Sequence, residues 1–82
     1  MIYIKEYNIF NNLAFKPAME DIKNGDYIVM KAMREEKDPI QPETRGIIQQ
    51  VHINIKTIEV KWENGRTLSV LYDIDDFEII SR

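Results

Sequence analysis

The sequence contains no cysteine and a single histidine, His52. Without cysteine the chain has neither disulfides nor thiolate metal ligands, which favours an intracellular, cytoplasmic location. One histidine excludes the imidazole clusters that bind zinc. No apolar run approaches the ~20 residues of a membrane span, and the N-terminus lacks the charge and apolar pattern of a signal peptide. We therefore expect no contact with a membrane.

A strong excess of one charge sign is also missing. The chain has 11 lysines and arginines against 14 aspartates and glutamates, with a net charge of −3 and an isoelectric point near 5.1. Proteins that depend on phosphate contacts usually show a basic patch or an isoelectric point above ~9. Nucleic acid is therefore the less favoured partner. It stays open as an alternative, through a local stripe formed by Lys31, Arg45, Lys56, Lys61 and Arg66.

No catalytic constellation is visible. His52 lies in a predicted turn with no nucleophile beside it, and the widely spaced glycines form no phosphate cradle. The acids near the C-terminus lack the glycine and the distal glutamate of a calcium loop, so we interpret them as a solvated acidic turn in which one aspartate caps backbone amides. They are Asp73, Asp75, Asp76 and Glu78. The sequence thus predicts no enzyme, no metal and no cofactor.

Residues 1–24 show neither clean alternation nor a clean helical stripe. Within them, residues 16–23 predict a short helix, because a proline suits its start and acids fill its first turn. Met19 and Ile22, three residues apart, would face the core. We expect residues 1–24 to be an N-terminal extension that packs on or beside a β domain at residues 25–82. A homodimer through this extension is the alternative.

From Asp26 onward, the pattern is typical of β-strands. The polar segment Arg34–Thr44, with its two prolines, predicts a long loop. In the first strand, Ile28, Met30 and Ala32 should share the buried face. A small five-stranded antiparallel SH3-like barrel fits this order best, and an OB-type barrel is the alternative. The predicted strands cover residues 27–33, 45–51, 57–62, 66–71 and 77–80.

The segment TIEVKWENGRTLSV, residues 57–70, predicts a hairpin with its turn at the NG pair. A two-residue loop would turn Val70 toward solvent. A three-residue loop, with Gly65 as a left-handed bulge, pairs Val70 with Ile58 instead. We expect this second register because it turns the apolar residues, Trp62 among them, toward the core.

The long loop is the first candidate for partner contacts, because loops on a rigid barrel carry recognition. Its mixed charges suit a protein surface better than a phosphate track, and it has no aromatic residue to support a proline-rich ligand. Arg66 beside Trp62 is the second candidate, as a guanidinium over an indole ring, unless an inward Trp62 leaves Arg66 covering its rim. The candidate partner-binding residues are Arg34, Glu35, Glu36, Lys37, Asp38, Arg45, Trp62 and Arg66.

Several short motifs follow one another along the chain. They run from Gly25-Asp26 through Asp38-Pro39 and Pro42-Glu43-Thr44-Arg45-Gly46 to VKWENG at residues 60–65, followed by Leu68, Asp75 and Phe77. This order resembles the family called domain of unknown function 4314, over residues 25–80. Members typically carry a P-G-T turn where this chain has Pro42-Glu43-Thr44. The resemblance implies no reaction or cofactor, and it implies a bacterial phage or mobile element as the setting.

The predicted function is non-catalytic protein binding by a small phage or mobile-element protein. The mobile-element setting suggests inhibition of a host defence system, such as a CRISPR nuclease. A nucleic-acid-binding barrel is the alternative function.

Overall fold

The computed structural model describes residues 14–80, with side chains from residue 16 onward. Its strands form one antiparallel sheet in the order β1-β6-β2-β3-β4-β5. The strands are β1 Ala14–Phe15, β2 Tyr27–Ala32, β3 Arg45–His52, β4 Thr57–Trp62, β5 Val70–Leu71 and β6 Asp76–Ile80, and 3-10 helices occupy Met19–Asp21 and Ile53–Ile55. The predicted mainly-β class is confirmed. No helix in the described residues is long and apolar enough to span a bilayer.

The sheet is open and does not close into the predicted barrel. Among the described residues, β1 and β5 form its two edges and no pairing joins them. β1 comes from the predicted N-terminal extension and pairs with β6, with Ala14 opposite Ile80. The part of that extension before residue 14 lies outside the described residues. The SH3-like assignment and the division of the chain at residue 24 stay predictions.

One face of the sheet carries the hydrophobic core. In β4, Ile58, Val60 and Trp62 are at most 1% exposed, while the residues between them face solvent. The predicted alternation of this strand is therefore confirmed. Burial of apolar side chains of this size contributes about 1.5–3 kcal/mol each. The other members of the core are Met19, Ile22, Ile28, Met30, Ile40, Ile48, Val70, Phe77 and Ile79.

The helix predicted at residues 16–23 is a single 3-10 turn, Met19–Asp21. It ends because Ile22 is extended, with φ −91° and ψ 130°, and no side chain at Ala18 caps its start. Short pieces of this kind are the usual form of 3-10 structure. Met19 and Ile22 are both buried, as predicted.

Two apolar residues do not lie where the sequence pattern puts them. Ala32 is exposed, because the ladder between β2 and β6 shifts between Met30 and Ala32, and such a shift turns the next side chain to the opposite face. Ile40, in the loop predicted from its polarity, is only 1% exposed. Its amide points at the sulfur of Met33 at 3.3 Å, so this side chain anchors the long loop to the core.

The hairpin after β4 has the predicted three-residue loop. The Gly65 amide donates to the Trp62 carbonyl, and the Trp62 amide donates to the Arg66 carbonyl, both at 2.8 Å. Gly65 has a φ of +89°, and Ile58 pairs with Val70. The predicted register is confirmed, and Gly65 is needed for its left-handed backbone.

β5 starts at Val70, although the sequence predicts a strand from residue 66. Two carbonyls ahead of it are bonded by side chains. The Leu68 carbonyl accepts from Nε1 of Trp62 at 2.8 Å, and the Ser69 carbonyl accepts from Nη1 of Arg34 at 3.5 Å. Because these side chains satisfy the backbone groups, the segment needs no continuous ladder with β4.

Glu43 occupies the position where the resemblance implies the glycine of a P-G-T turn, and it keeps a left-handed backbone, with φ 71°. A side chain in this conformation costs about 1–2 kcal/mol relative to glycine, and the larger entropy loss of glycine offsets part of that gain. We expect Glu43→Gly to raise the free energy of unfolding by about 0.5–1 kcal/mol in urea titrations.

The matched control for this prediction is Gln41→Gly, at a loop position without a positive φ. It should leave the stability unchanged or lower it. The prediction is wrong if Glu43→Gly destabilises the domain, because the contact between Glu43 and Lys31 would then outweigh the backbone strain.

Candidate functional site

Arg34, the first candidate in the long loop, is held by Asp75. The guanidinium of Arg34 pairs with the Asp75 carboxylate, and its backbone amide donates to Oδ1 of Asp75 at 2.7 Å. The Leu71 amide donates to Oδ2 of the same carboxylate at 2.8 Å. The Arg34 side chain is 18% exposed and that of Asp75 is fully buried. Arg34 therefore joins the start of the loop to the turn before β6, and little of it is left for a partner.

The other charged residues at the start of the loop stay at the surface. They are Glu35, Glu36, Lys37 and Asp38. The Glu36 carboxylate lies 3.5 Å from Nη2 of Arg34. Oδ1 of Asp38 lies 3.7 Å from Nη1 of Arg66, which links the loop to the tip of the hairpin. These four side chains form the charged loop surface that remains available to a partner.

Trp62 points inward, as the hairpin register predicts. It is 1% exposed, and its Nε1 donates to the Leu68 carbonyl. Arg66 lies opposite Trp62 in the hairpin, but its guanidinium turns to Asp38, and no cation–ring contact joins it to the indole in the described part of the chain. A partner would therefore find little of the Trp62 ring to contact.

Arg45 lies at a groove of about 590 Å³ on the face of the sheet opposite the core. We call this the outer groove; it is lined by Tyr27, Arg45, Gly46, Ile47, Lys61, Trp62, Glu63, Gly65 and Ile80. Tyr27 and Ile47 are directly paired across β2 and β3 and are 41% and 42% exposed. The Arg45 and Lys61 side chains make no ion pair with any described residue.

A second apolar surface lies on two turns and was not predicted from the sequence. Ile53, Ile55 and Ile74 are 54%, 69% and 64% exposed, and we call them the isoleucine patch. Ile55 and Ile74 line one depression of about 310 Å³, together with the half-buried Leu71. Three isoleucines that expose more than half of their surface are costly to keep in water unless something covers them.

The two turns that carry the patch are tied together. Nζ of Lys56 lies 3.2 Å from Oδ2 of Asp73, and the Tyr72 amide donates to the Lys56 carbonyl at 2.9 Å. The hydroxyl of Tyr72 donates to the Pro17 carbonyl at 2.7 Å. The isoleucine patch is therefore presented on a fixed backbone.

The first residue of the long loop is joined to the turn that carries Ile74. Arg34 begins the long loop and is bonded to Asp75, which directly follows Ile74 in the chain. The described fold therefore brings the start of the loop predicted for partner contacts next to one of the two turns of the patch.

Comparison with known families supports the resemblance seen in the motifs. The model of a domain of unknown function, DUF4314, matches residues 16–80. The chain belongs to the DUF4314 family. The match begins nine residues before the first quoted motif, so it includes Met19 and Ile22 of the core. No curated protein and no solved structure matches the chain.

The acidic turn of this DUF4314 chain is only partly solvated, contrary to the sequence interpretation. Asp73 is exposed and pairs with Lys56, but Asp75 is 1% exposed. The predicted amide cap is present, since Asp75 accepts from Leu71. No group of three or more acids, histidines or cysteines in the described residues is placed to hold a metal ion.

His52, the one histidine, ends β3 and contacts Glu59 of β4 through Nε2. The predicted turn starts one residue later, as the 3-10 helix Ile53–Ile55. The side chain of His52 is 34% exposed, so it forms a surface pair between neighbouring strands.

The basic stripe predicted as an alternative is largely paired with acids. Lys31 contacts Glu43, Lys56 contacts Asp73 and Arg66 contacts Asp38. The hydrogen bond to Glu43, with smaller contributions from the carboxylates of Glu78 and Asp76, raises the pKa of Lys31 above its ordinary value. Of the stripe, Arg45 and Lys61 keep side chains without an ion pair to the described residues, and both lie at the outer groove.

The isoleucine patch had a signal in the sequence. Its members lie in the segments INIK and YDID, which the alternation pattern assigns to turns. An isoleucine in a turn between polar neighbours has no strand face through which to reach the core. In this DUF4314 chain, apolar residues inside predicted turns were thus a better guide to an exposed surface than the single tryptophan.

Proposed function

We propose that this DUF4314 chain is a non-catalytic protein-binding module of a phage or other mobile genetic element. Its binding surface is the isoleucine patch together with the charged residues of the two turns that carry it. The observation that carries the proposal is the exposure of Ile53, Ile55 and Ile74, each above half, on turns that are fixed to one another.

An apolar centre with a charged rim is the usual anatomy of a protein interface. The isoleucines supply the centre, and removal of their surface from water contributes about 25 cal/mol per Å². The Lys56–Asp73 pair supplies a rim of both charge signs. Because hydrogen bonds hold the turns, little conformational entropy is lost when a partner binds.

The charges at this surface favour a protein over a nucleic acid. The Lys56 ammonium is already bound to Asp73, and the segment around Ile74 carries three acids and no base, which are Asp73, Asp75 and Asp76. A phosphate backbone would meet net repulsion here. The partner that fits is a protein surface with apolar side chains surrounded by charges of both signs.

The family resemblance supports the proposed biological setting. Because that resemblance implies a mobile element in a bacterium, a host defence machine such as a CRISPR nuclease is the first class of partner to test. Such a partner also suits a small acidic binding domain that has no chemistry of its own.

The proposal is tested with a photo-crosslinking residue at position 55 of the full chain, in lysate of a bacterial host. The crosslinked protein is identified and purified, and its Kd is measured for wild type and for Ile55→Asp with Ile74→Asp. We expect the double variant to weaken binding at least tenfold, which corresponds to about 1.4 kcal/mol. The matched control is Ile47→Asp, an exposed isoleucine of the outer groove, and it should bind like wild type.

Two results would overturn the proposal. The first is a partner whose Kd is unchanged by the double variant. The second is micromolar binding of short single-stranded or duplex DNA with a steep salt dependence, lost on replacement of Arg45 and Lys61 by glutamine. The second result would establish the nucleic-acid alternative at the outer groove.

A further inference from the structure

The outer groove is built on a row of residues that runs straight across the sheet. Ile80 of β6 pairs with Tyr27 of β2, Tyr27 pairs with Ile47 of β3, and Ile47 pairs with Lys61 of β4. Residues that are directly opposite one another point to the same face of a sheet. The described chain thus carries an apolar strip across three neighbouring strands, with a cation at its far end.

We propose that residues 1–13 of the same chain occupy the outer groove. The first argument is the place where the described chain begins. Ala14 pairs with Ile80, and Ile80 is the first member of the apolar strip. Ala14, the first described residue, therefore lies directly beside this end of the strip.

The second argument is reach. Thirteen residues in extended form span up to about 43 Å, at roughly 3.3 Å per residue. The row from β6 to β4 covers three strand spacings, or about 15 Å. The segment is thus long enough to cross the whole strip.

The third argument is composition. The segment carries eight large apolar or aromatic residues, which are Met1, Ile2, Tyr3, Ile4, Tyr7, Ile9, Phe10 and Leu13. Their charged neighbours, Lys5 and Glu6, are one of each sign. The rim of the groove also has both signs, from Arg45, Lys61 and Glu63. The segment therefore brings apolar surface to an apolar strip without a conflict of charge.

This inference does not depend on the proposed function. The outer groove and the isoleucine patch share no residue. Ile47 and His52, the last residue of β3 before Ile53, are five residues apart along the strand, or about 17 Å. A negative result in the test of one surface therefore does not contradict the proposal for the other surface.

The absence of native cysteine allows a disulfide test on the full chain. Ile47→Cys is combined in turn with Ile4→Cys, Tyr7→Cys and Phe10→Cys, so that one pair falls within the Cα separation of about 4.4–6.8 Å that a disulfide needs. Matched controls combine the same three substitutions with Ile55→Cys in the isoleucine patch. We expect at least one groove pair to oxidise to an intramolecular disulfide at least tenfold faster than its control.

Three results would overturn the inference. Disulfide-linked dimers would place a second copy's segment in the groove. Equal rates at positions 47 and 55 would show no preference for the groove, and absence of a disulfide at all three groove pairs would show that the segment lies elsewhere. As a second measurement, maleimide should label Ile47→Cys at least tenfold faster when Phe10→Asp is also present.

Discussion

Replacement of Asp75 by alanine should lower the free energy of unfolding by about 3–5 kcal/mol, the cost typical of breaking a buried ion pair from one side. Asp75 is 1% exposed and accepts hydrogen bonds from the backbone amides of Arg34 and Leu71. Without it, these amides lose their acceptor and the Arg34 guanidinium loses its partner in a largely buried position. Because the Arg34 side chain keeps 18% exposure, we expect a value at the lower end of that range.

Urea denaturation of the full chain measures this effect, with far-UV circular dichroism to follow the sheet. In a domain of this size, 1 kcal/mol corresponds to a shift of roughly 4–8 °C in Tm. In a thermal unfolding experiment, the Tm of Asp75→Ala should therefore fall by more than about 10 °C. Asp75→Asn keeps an acceptor oxygen for an amide but loses the charge. The free energy of unfolding of Asp75→Asn should lie between those of wild type and Asp75→Ala. This variant still allows the loss of stability to be measured if the alanine variant does not fold.

The neighbouring acids supply matched controls. Asp76 is exposed, and Asp73 makes a surface pair with Lys56 in which both side chains are more than half exposed. Exposed pairs of this kind contribute about 0–1 kcal/mol, so Asp73→Ala and Asp76→Ala should change the stability by less than 1 kcal/mol. Equal effects of Asp75→Ala and Asp76→Ala would contradict the role assigned to the buried carboxylate.

The features of this fold that depend on local sequence patterns were predictable, and those that depend on contacts between distant residues were not. The bounds of β4 and the burial of Ile58, Val60 and Trp62 were predicted, because alternation along a strand is a local property. The hairpin register was predicted for a related reason: only one loop length turned the apolar residues of both strands to one face. The bulge glycine then followed from the geometry of that loop.

The contacts that the sequence did not reveal join distant parts of the chain. Arg34 and Asp75 are 41 residues apart. Each has several charged residues near it in the sequence, and the sequence alone does not show which residue of opposite charge is its partner. For that reason Arg34 was predicted as a partner contact and Asp75 as part of a solvated turn. Ile40 was missed because a single apolar residue in a polar loop gives no periodic signal.

The candidate site was predictable only in part. The charged loop was identified because loops are exposed and variable in conformation, which is a general property. Ile55 and Ile74 were not singled out, since their proximity depends on how the segment after β3 meets the turn after β5. That meeting is fixed by the Lys56–Asp73 pair and by the Tyr72 amide, and neither contact leaves a pattern in the sequence.

Replacement of Gly46 by alanine should lower the free energy of unfolding by about 2–3 kcal/mol, at the upper end of the usual range for overpacking. Gly46 lies in β3 opposite Trp62 and Ile28. A Cβ there would lie 2.6 Å from Cγ1 of Val60, 2.9 Å from Cε3 of Trp62 and 3.0 Å from the Lys61 carbonyl oxygen. Val60 and Trp62 are each 1% exposed, so neither has free space into which to move.

The single tryptophan provides a second measurement besides urea denaturation. Its Nε1 is bonded to the Leu68 carbonyl, so displacement of the ring by a methyl group should shift the fluorescence of the folded protein to longer wavelength. Gly65→Ala is the matched control, since nothing lies within 4 Å of its added Cβ and only the φ of +89° opposes it. That backbone strain costs about 1–2 kcal/mol, and the fluorescence of the folded state should not change.

A double variant separates crowding from the general effect of alanine in a strand. Val60→Ala removes Cγ1, the atom nearest to the added methyl group, and on its own it costs stability through the cavity that it leaves. Combined with Gly46→Ala, it should destabilise the domain by less than the sum of the single variants, with a coupling energy of at least 0.5 kcal/mol. Additive effects would mean that the added methyl group does not press on Val60, and that the cost of Gly46→Ala arises at Trp62 or at the backbone of Lys61.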